Sequence, residues 1–226
     1  MKLVLTCEHG GNHIPTTYED CFKNASDILQ THRGYDLGAL DVFNHLKPLA
    51  DVSFYSETSR LLIELNRSLH HKNLFSEFSK TLSEDEKTHL ITNYYSDYRN
   101  AVETAIKSRI DANEKVVHIS VHSFTPILDQ IERNCDIGLL YDTSILQEKI
   151  VCSEFKHHIT RIQNTLHVRY NYPYLGKADG FPTYLRKQFN KNYIGIELEI
   201  NQKFSQNNTM EKSIKDCLYK ALKQLL

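Results

Sequence analysis

The chain reads as an α/β protein, a single three-layer α/β/α sandwich over residues 1–226 around a mostly parallel or mixed central sheet. Three observations lead there. Short apolar or alternating runs, suited to strands, are separated by longer stretches with helical periodicity. Several strand-like runs end at a glycine- or proline-containing loop that carries histidine or glutamate. Nothing along the chain has the Pro/Gly/Ser composition of a linker, and there is no internal repeat or low-complexity tract.

The elements follow in order. Lys2 to Cys7 reads as a buried strand ending at Glu8-His9, broken by Gly10-Gly11 and closed by Pro15, so backbone in the following loop can approach a ligand closely. From about Tyr35 to Leu46, apolar residues at Leu37, Leu40, Val42, Phe43 and Leu46 predict a helix with one buried face. A second strand is expected around Asp51–Tyr55, and Leu61 to Leu65 forms a third apolar run. Ser83 and Glu86 have capping-box spacing, opening a long helix through Tyr94, Tyr95 and Tyr98 towards Asp111. Val116 to His122 alternates with period two, putting His118, Ser120 and His122 on one face before Pro126 forces a loop. Ile137–Tyr141 is a further strand, Leu146–Leu166 a helix, Tyr193–Ile200 the last internal strand, and Met210–Leu226 a terminal amphipathic helix.

Composition narrows the function. A formal net charge of -1 and 24% charged residues give no electrostatic reason to expect nucleic acid, so small-molecule partners are expected. No apolar stretch approaches the roughly 20 residues a bilayer span needs, and MKLVLTCEHGG turns polar too early for a signal peptide. A cytoplasmic protein is expected. Its five cysteines are odd in number and scattered, which suits reduced thiols rather than a disulfide framework or a cysteine zinc site.

In open α/β sheets ligands sit at the carboxyl ends of strands. Here those ends carry Glu8-His9, His122-Ser123 and the pair Glu197 and Glu199. Such residue types suit a hydrolytic zinc site, in which three His or Asp/Glu ligands leave one open position and a nearby carboxylate serves as general base. A serine or cysteine nucleophile is disfavoured, because no G-x-S-x-G elbow occurs and Cys7 lies inside a buried strand.

Five short motifs occur in order: Cys7-Glu8-His9-Gly10-Gly11-Asn12 with Pro15, His32-Arg33-Gly34-Tyr35-Asp36-Leu37-Gly38-Ala39, Ser59-Arg60 leading to Leu65-Asn66-Arg67, His122-Ser123-Phe124-Thr125-Pro126, and Glu199-Ile200-Asn201-Gln202. Each alone is weak; together they span nearly the whole chain. In this set the sequence resembles the N-formylglutamate amidohydrolase family, and Leu65-Asn66-Arg67 with Val121-His122-Ser123-Phe124 is also similar to motifs of zinc carboxypeptidases. The resemblance implies a phosphorylase/hydrolase-like, zinc carboxypeptidase-like fold and a metal-dependent amidohydrolase using one zinc or another divalent ion on an N-acyl amino acid, with N-formyl-L-glutamate foremost.

Carried over residue by residue, the resemblance makes His9 and His122 metal ligands. Carboxypeptidase-like enzymes have a glutamate three residues after the first histidine, where this chain has Asn12. The aspartate of the second motif recurs in the family, so the resemblance makes Asp36 the third ligand, with Glu8 and Asn12 as its rivals. Glu199 matches the general base, and Glu197, two residues away on the same strand face, competes with it. Substrate carboxylates need planar donors such as Arg67, supported by Asn66, Arg60 and Arg186.

Plainer roles exist for the same residues. Asp36 suits the first turn of a helix, where the macrodipole favours a carboxylate. Glu197 and Glu199 suit the solvent face of an edge strand, and Arg60 and Arg67 suit ion pairs with Glu57 and Glu64. The pairs His70-His71 and His157-His158 read as surface, and the tyrosine cluster as helix packing, for which the resemblance also leaves room for a pocket role. Two further functions stay open: an amidase for a small peptide or cell-wall amide, and a binding protein that keeps the pocket without turnover, for which Asn12 is the best support.

Overall fold

The computed structural model describes residues 1–226. In chain order the strands are β1 (Lys2–Cys7), β2 (Val52–Tyr55), β3 (Val116–Phe124), β4 (Ile127–Leu128), β5 (Ile131–Glu132), β6 (Ile137–Leu140), β7 (Val168–Tyr170), β8 (Tyr193–Asn201), β9 (Ser205–Gln206) and β10 (Thr209–Met210). The helices are α1 (Ser26–Leu29), α2 (Ala39–Leu46), α3 (Glu84–Leu90), α4 (Asp97–Asp111), α5 (Leu146–Ile162), α6 (Phe181–Gln188) and α7 (Lys212–Leu225).

The central sheet has six strands in the order β2-β1-β3-β8-β6-β7. The first four run parallel, β6 is antiparallel to β8, and β7 is parallel to β6. This is a mixed α/β domain with a mostly parallel sheet. On one side α2, α5 and α7 cover Leu3, Leu5, Cys7, Val117, Ile119, Val121, Ile196 and Leu198, the main core. On the other, α4 and α6 bury Val4, Val116 and Tyr193 against Val102, Ile106, Phe181 and Leu185. Central strands buried on both faces explain why β3 is buried at every position. Truncating a fully buried residue such as Ile119 to alanine removes about 2–5 kcal/mol of stability.

The capping box at Ser83 and Glu86 is formed, but the long helix after it divides: a π-helical segment, Ile91–Ser96, joins α3 to α4. Helix α2 begins at Ala39 rather than Tyr35, because Gly38 before it is left-handed at φ 78°. The Leu61–Leu65 run pairs with no strand; it is a buried stretch of turns packed with Ile14, Tyr18, Phe22, Leu74, Leu90 and Tyr95 in a second apolar cluster beside the sheet. Strand β7 and helix α6 are absent from the sequence reading. The first has only three residues, too few for a periodicity, and the second opens on Gly180-Phe181-Pro182, a helix-start signal masked by its brevity. No helix is long and apolar enough to cross a membrane.

Candidate active site

Side chains on the α4/α6 face of the sheet change from apolar to polar along the strands. Val4, Val116 and Tyr193 lie at the amino ends in the apolar layer. Next come Thr6, His118 and Gly195, and beyond them the acids and histidines. His118 is closed off, bonded to Thr6 Oγ1 and to the Tyr193 hydroxyl, each at 2.8 Å. Burial pushes its pKa down to about 4, so it stays neutral.

At the carboxyl ends, His9, Asp36 and His122 converge. Asp36 lies in the loop before α2, and its backbone N–H donates to the His9 carbonyl at 3.0 Å. Its carboxylate therefore does not serve the first turn of a helix. Instead Asp36 Oδ2 sits 2.9 Å from His122 Nδ1 and 3.4 Å from His9 Nδ1. One ligand atom from each of the three residues lies within 4.8 Å of the other two. Ligands about 2.0–2.1 Å from a tetrahedral zinc stand roughly 3.3 Å apart, so this donor set needs little movement to close on an ion.

Both imidazoles are held from behind. His9 Nε2 meets Glu64 Oε1, while Glu64 Oε2 accepts from Arg60 Nε at 2.9 Å and Nη2 at 2.6 Å. His122 Nε2 is 3.2 Å from Glu8 Oε2 and 2.8 Å from Ser120 Oγ. Glu8 also accepts from Ser120 Oγ and, at 3.1 Å, from the Tyr98 hydroxyl. A carboxylate behind each Nε2 orients the ring so that Nδ1 faces Asp36 and the cluster, the outer arrangement that metal-binding histidines use. Glu8 thus meets His122 at the nitrogen on the far side of the ring from Asp36, and Asn12 is turned away, donating to the Leu29 carbonyl at 3.0 Å.

Burial works against every charge here, and the close pairings overcome it. Burial would raise the Glu8 pKa, yet bonding to His122 brings it to about 2. Asp36 lies well below the usual carboxylate range despite burial, because His9, His122 and Arg60 face it. Burial would likewise lower His122, but Asp36 and Glu8 hold it well above its ordinary value. Glu199 is the exception. Burial, with Asp36 and Glu197 adding to it against the pull of His122, pushes its pKa up to about 8.

Glu199 is 6% exposed, and its buried Oε2 has no hydrogen-bond partner. Glu197 differs: it is half-buried and accepts from Asn66 Nδ2 at 3.1 Å. The two share a strand face, as the sequence predicts, yet Asn66 engages Glu197 while the buried Oε2 of Glu199 has no partner. Both line a cavity of ≈260 Å³ together with His9, Asp36, His122, Arg60, Asn66, Arg67 and the Tyr174–Asp179 segment.

The four expected substrate-binding residues separate. Arg67 lines the cavity and donates to the Asp179 carbonyl. Asn66 lines it too, but its side chain is engaged by Glu197 and by the Phe181 N–H at 2.7 Å. Arg60 bridges Glu64 and Asp36, the latter at 3.2 Å, so the pairing with Glu64 read from the sequence is present and extends into the cluster. Arg186 requires correction. Its side chain is buried against Glu148 at 2.8 Å and caps the Gly176 and Gly195 carbonyls, away from the cavity.

The contacts of Glu64 with His9, and of Tyr98 and Ser120 with Glu8, were not read from the sequence, although the resemblance left room for a pocket role of the tyrosine cluster. Ser120 alone left a signal, the period-two alternation that put it on the His122 face. Glu64 and Tyr98 reach the site from a turn-rich segment and from α4, which no spacing rule connects to His9 or Glu8.

A buried His/Asp/His cluster at the strand ends of an α/β sheet, next to a carboxylate in a small cavity, suits hydrolytic chemistry. The model of the family described as N-formylglutamate amidohydrolase matches residues 1–205, and the chain belongs to that family. Among solved structures, the Agrobacterium tumefaciens gene product Atu2144 shares 23% identity and superposes with a TM-score of 0.83, covering 99% of this chain and 90% of that one. N-formylglutamate amidohydrolase from Ralstonia eutropha JMP134 shares 15% identity at a TM-score of 0.70, covering 100% and 91%. At these identities both report the fold. No curated protein sequence matches the chain significantly.

Proposed function

We propose that this protein is a metal-dependent amidohydrolase that cleaves the amide of an N-acyl amino acid, with N-formyl-L-glutamate as its substrate and zinc as its ion. The observation that carries the reading is Glu199, a buried carboxylate with a free oxygen in the same cavity as His9, Asp36 and His122. Those three residues would hold the ion. When bound, a divalent metal supplies Lewis acidity that polarises an acyl carbonyl and makes water more acidic.

The residues do the rest. Glu199, whose buried Oε2 has no protein partner, accepts a proton from the attacking water and returns it to the departing amide nitrogen. Water thus supplies one oxygen to the formate, and the glutamate leaves as its amine. Glu64 and Glu8 keep the two imidazoles oriented during this exchange, and Arg60 offsets the negative charge gathered around Asp36. Arg67 offers a planar donor to a substrate carboxylate at the cavity wall. Five free thiols suit the reducing cytoplasm, the compartment we assign.

A second reading changes only the acyl side. A neighbouring cavity of ≈480 Å³ shares Arg60 and Arg67 with the first and leaves room for more than a formyl group, which favours a small peptide amide. Elemental analysis of the purified protein, with formate release from N-formyl-L-glutamate measured beside release from acetylated and peptidyl glutamate, tests both. One equivalent of zinc with formate release supports the first reading, turnover of the peptidyl compound alone supports the second, and metal-free protein that retains full turnover overturns the metal mechanism.

A further inference from the structure

Asn66 and Arg67 reach the catalytic cavity from a stretch of turns, so neither a helix nor a sheet ladder fixes their backbone. Carbonyls in such a stretch need partners of their own when water cannot serve them. One side chain supplies them on both sides of Asn66. Arg99, on α4, donates from Nη1 to the Leu65 carbonyl at 3.0 Å and to the Arg67 carbonyl at 3.1 Å. The Tyr95 hydroxyl donates to the same Arg67 carbonyl at 2.7 Å.

Arg99 is 4% exposed, and burial lowers its pKa, so keeping a guanidinium here carries a cost. Its charge is met by the faces of Phe181, Tyr184 and Tyr95, whose ring centroids lie 4.2, 4.6 and 4.8 Å from Cζ. An apolar side chain would fill this cage without that cost, but it could not hold two carbonyls. Phe181 ties the same parts together from the other side: its N–H donates to Asn66 Oδ1 at 2.7 Å, while Asn66 Nδ2 donates to Glu197 at 3.1 Å. Tyr95 belongs to the π-helical segment Ile91–Ser96, a type of irregularity frequent at functional sites. Tyr98, one residue before Arg99, reaches Glu8 behind His122. This part of α4 thus faces the supports of the site rather than the apolar core alone.

We propose that Arg99, assisted by Tyr95, is a positioning residue for substrate binding: it clamps the backbone on both sides of Asn66, and so holds Arg67 at the cavity wall and Asn66 against Glu197. The kinetic part of the proposal rests on the amidohydrolase reading; the clamp itself is measurable without turnover.

The test compares metal-loaded wild type with Arg99→Met, Arg99→Lys and Tyr95→Phe on N-formyl-L-glutamate. Methionine keeps much of the packing stem and removes the donor, whereas lysine keeps a charged donor. Arg99→Met should raise KM roughly tenfold or more, the scale of a hydrogen bond from a charged group, with kcat within roughly twofold and metal content unchanged. Arg99→Lys should recover part of the loss, and Tyr95→Phe should show a smaller rise. A residue that serves folding alone would lower the active fraction, which reduces apparent kcat and leaves KM in place; that pattern overturns the proposal. In an Arg67→Ala background, Arg99→Met should change KM far less than in the wild type, and an equal loss overturns it.

If the wild type does not hydrolyse N-formyl-L-glutamate, the substrate reading has failed separately, and hydrogen exchange of the intact protein decides the clamp. The N–H groups of Asn66 and Ser68 donate to Glu64 at 2.9 Å and to Asp179 at 3.1 Å. They should exchange roughly tenfold faster in Arg99→Met, while peptides from β3 and β8 exchange as in the wild type. Equal rates over residues 65–68, or faster exchange spread over the whole chain, overturn the proposal. Should Arg99→Met not fold, Tyr95→Phe decides by the same two measurements: a raised KM or faster local exchange supports the clamp, and no change in either overturns it.

Discussion

Glu199 and His122 are direct partners on adjacent parallel strands, β8 and β3. A hydrogen-bonded ladder therefore holds the proposed base beside the metal cluster, at the spacing of neighbouring strands rather than of flexible loops. Replacing Glu199 by glutamine keeps shape and volume and removes only proton acceptance. Formate release should fall by a factor of roughly 10²–10⁴ while metal content stays near that of the wild type. Retained activity would move the base to Glu197.

The ligand assignment makes the opposite forecast. His9→Ala, His122→Ala and Asp36→Asn should each lose metal together with activity, as read by elemental analysis after dialysis. An Asp36→Asn protein that keeps full zinc occupancy would remove Asp36 from the ligand set and point to Glu64, which lies against the far nitrogen of His9.

Glu64→Gln and Glu8→Gln should behave differently from both groups. Each leaves the ligands in place but weakens the hold on one imidazole, so zinc affinity should drop roughly 10–100-fold in competition with a chromophoric chelator. Activity should return when excess zinc is added, which it does not for a lost base.

Glu199 also makes the metal-free protein sensitive to pH. Its folded-state pKa of about 8 lies above the roughly 4.3 of an unfolded glutamate, so the folded state binds more protons between those values. Stability from this group is full below the unfolded pKa and declines as pH rises towards 8. Urea unfolding of the metal-free protein should therefore find Glu199→Gln more stable than wild type at pH 8, by an amount on the order of a few kcal/mol, with the difference vanishing near pH 4. A constant difference across that range would contradict the burial of an ionisable Glu199.

Arg186 provides a control for the arginines of the cavity. Arg186→Met leaves Glu148 buried without its partner, which should remove about 3–5 kcal/mol of stability and shift the thermal midpoint. At a temperature where the variant is folded, KM should match the wild type. A raised KM would return Arg186 to the substrate site.

Alternation and periodicity reveal β1, β3, β8 and the helices on the main core, because each of those patterns is local: a strand shows its buried face every second residue and a helix every third or fourth. The same local rule put His118, Ser120 and His122 on one face and joined Glu197 to Glu199. The order of the five motifs, through the resemblance it carries, supplied His9, Asp36, His122 and Glu199 as candidates, which the fold brings to one cavity.

What spacing cannot express is which groups are already spent. Glu197 and Glu199 are equivalent along the strand, and only the approach of Asn66 from a distant turn occupies one and leaves the other free. Likewise Arg186 and Arg133 look alike as letters; packing gives the first a buried glutamate and the second none. Glu64, Glu8 and Tyr98 become supports of the two imidazoles only when a turn-rich segment and α4 fold against the ends of β1 and β3. The sequence by itself determined the scaffold, since strands and helices follow from short-range periodicity, and the resemblance carried by its motifs supplied the candidate site residues. The tertiary structure decided how each charge is paired, because pairing depends on contacts between segments far apart in the chain, and in a buried site those contacts govern every protonation state.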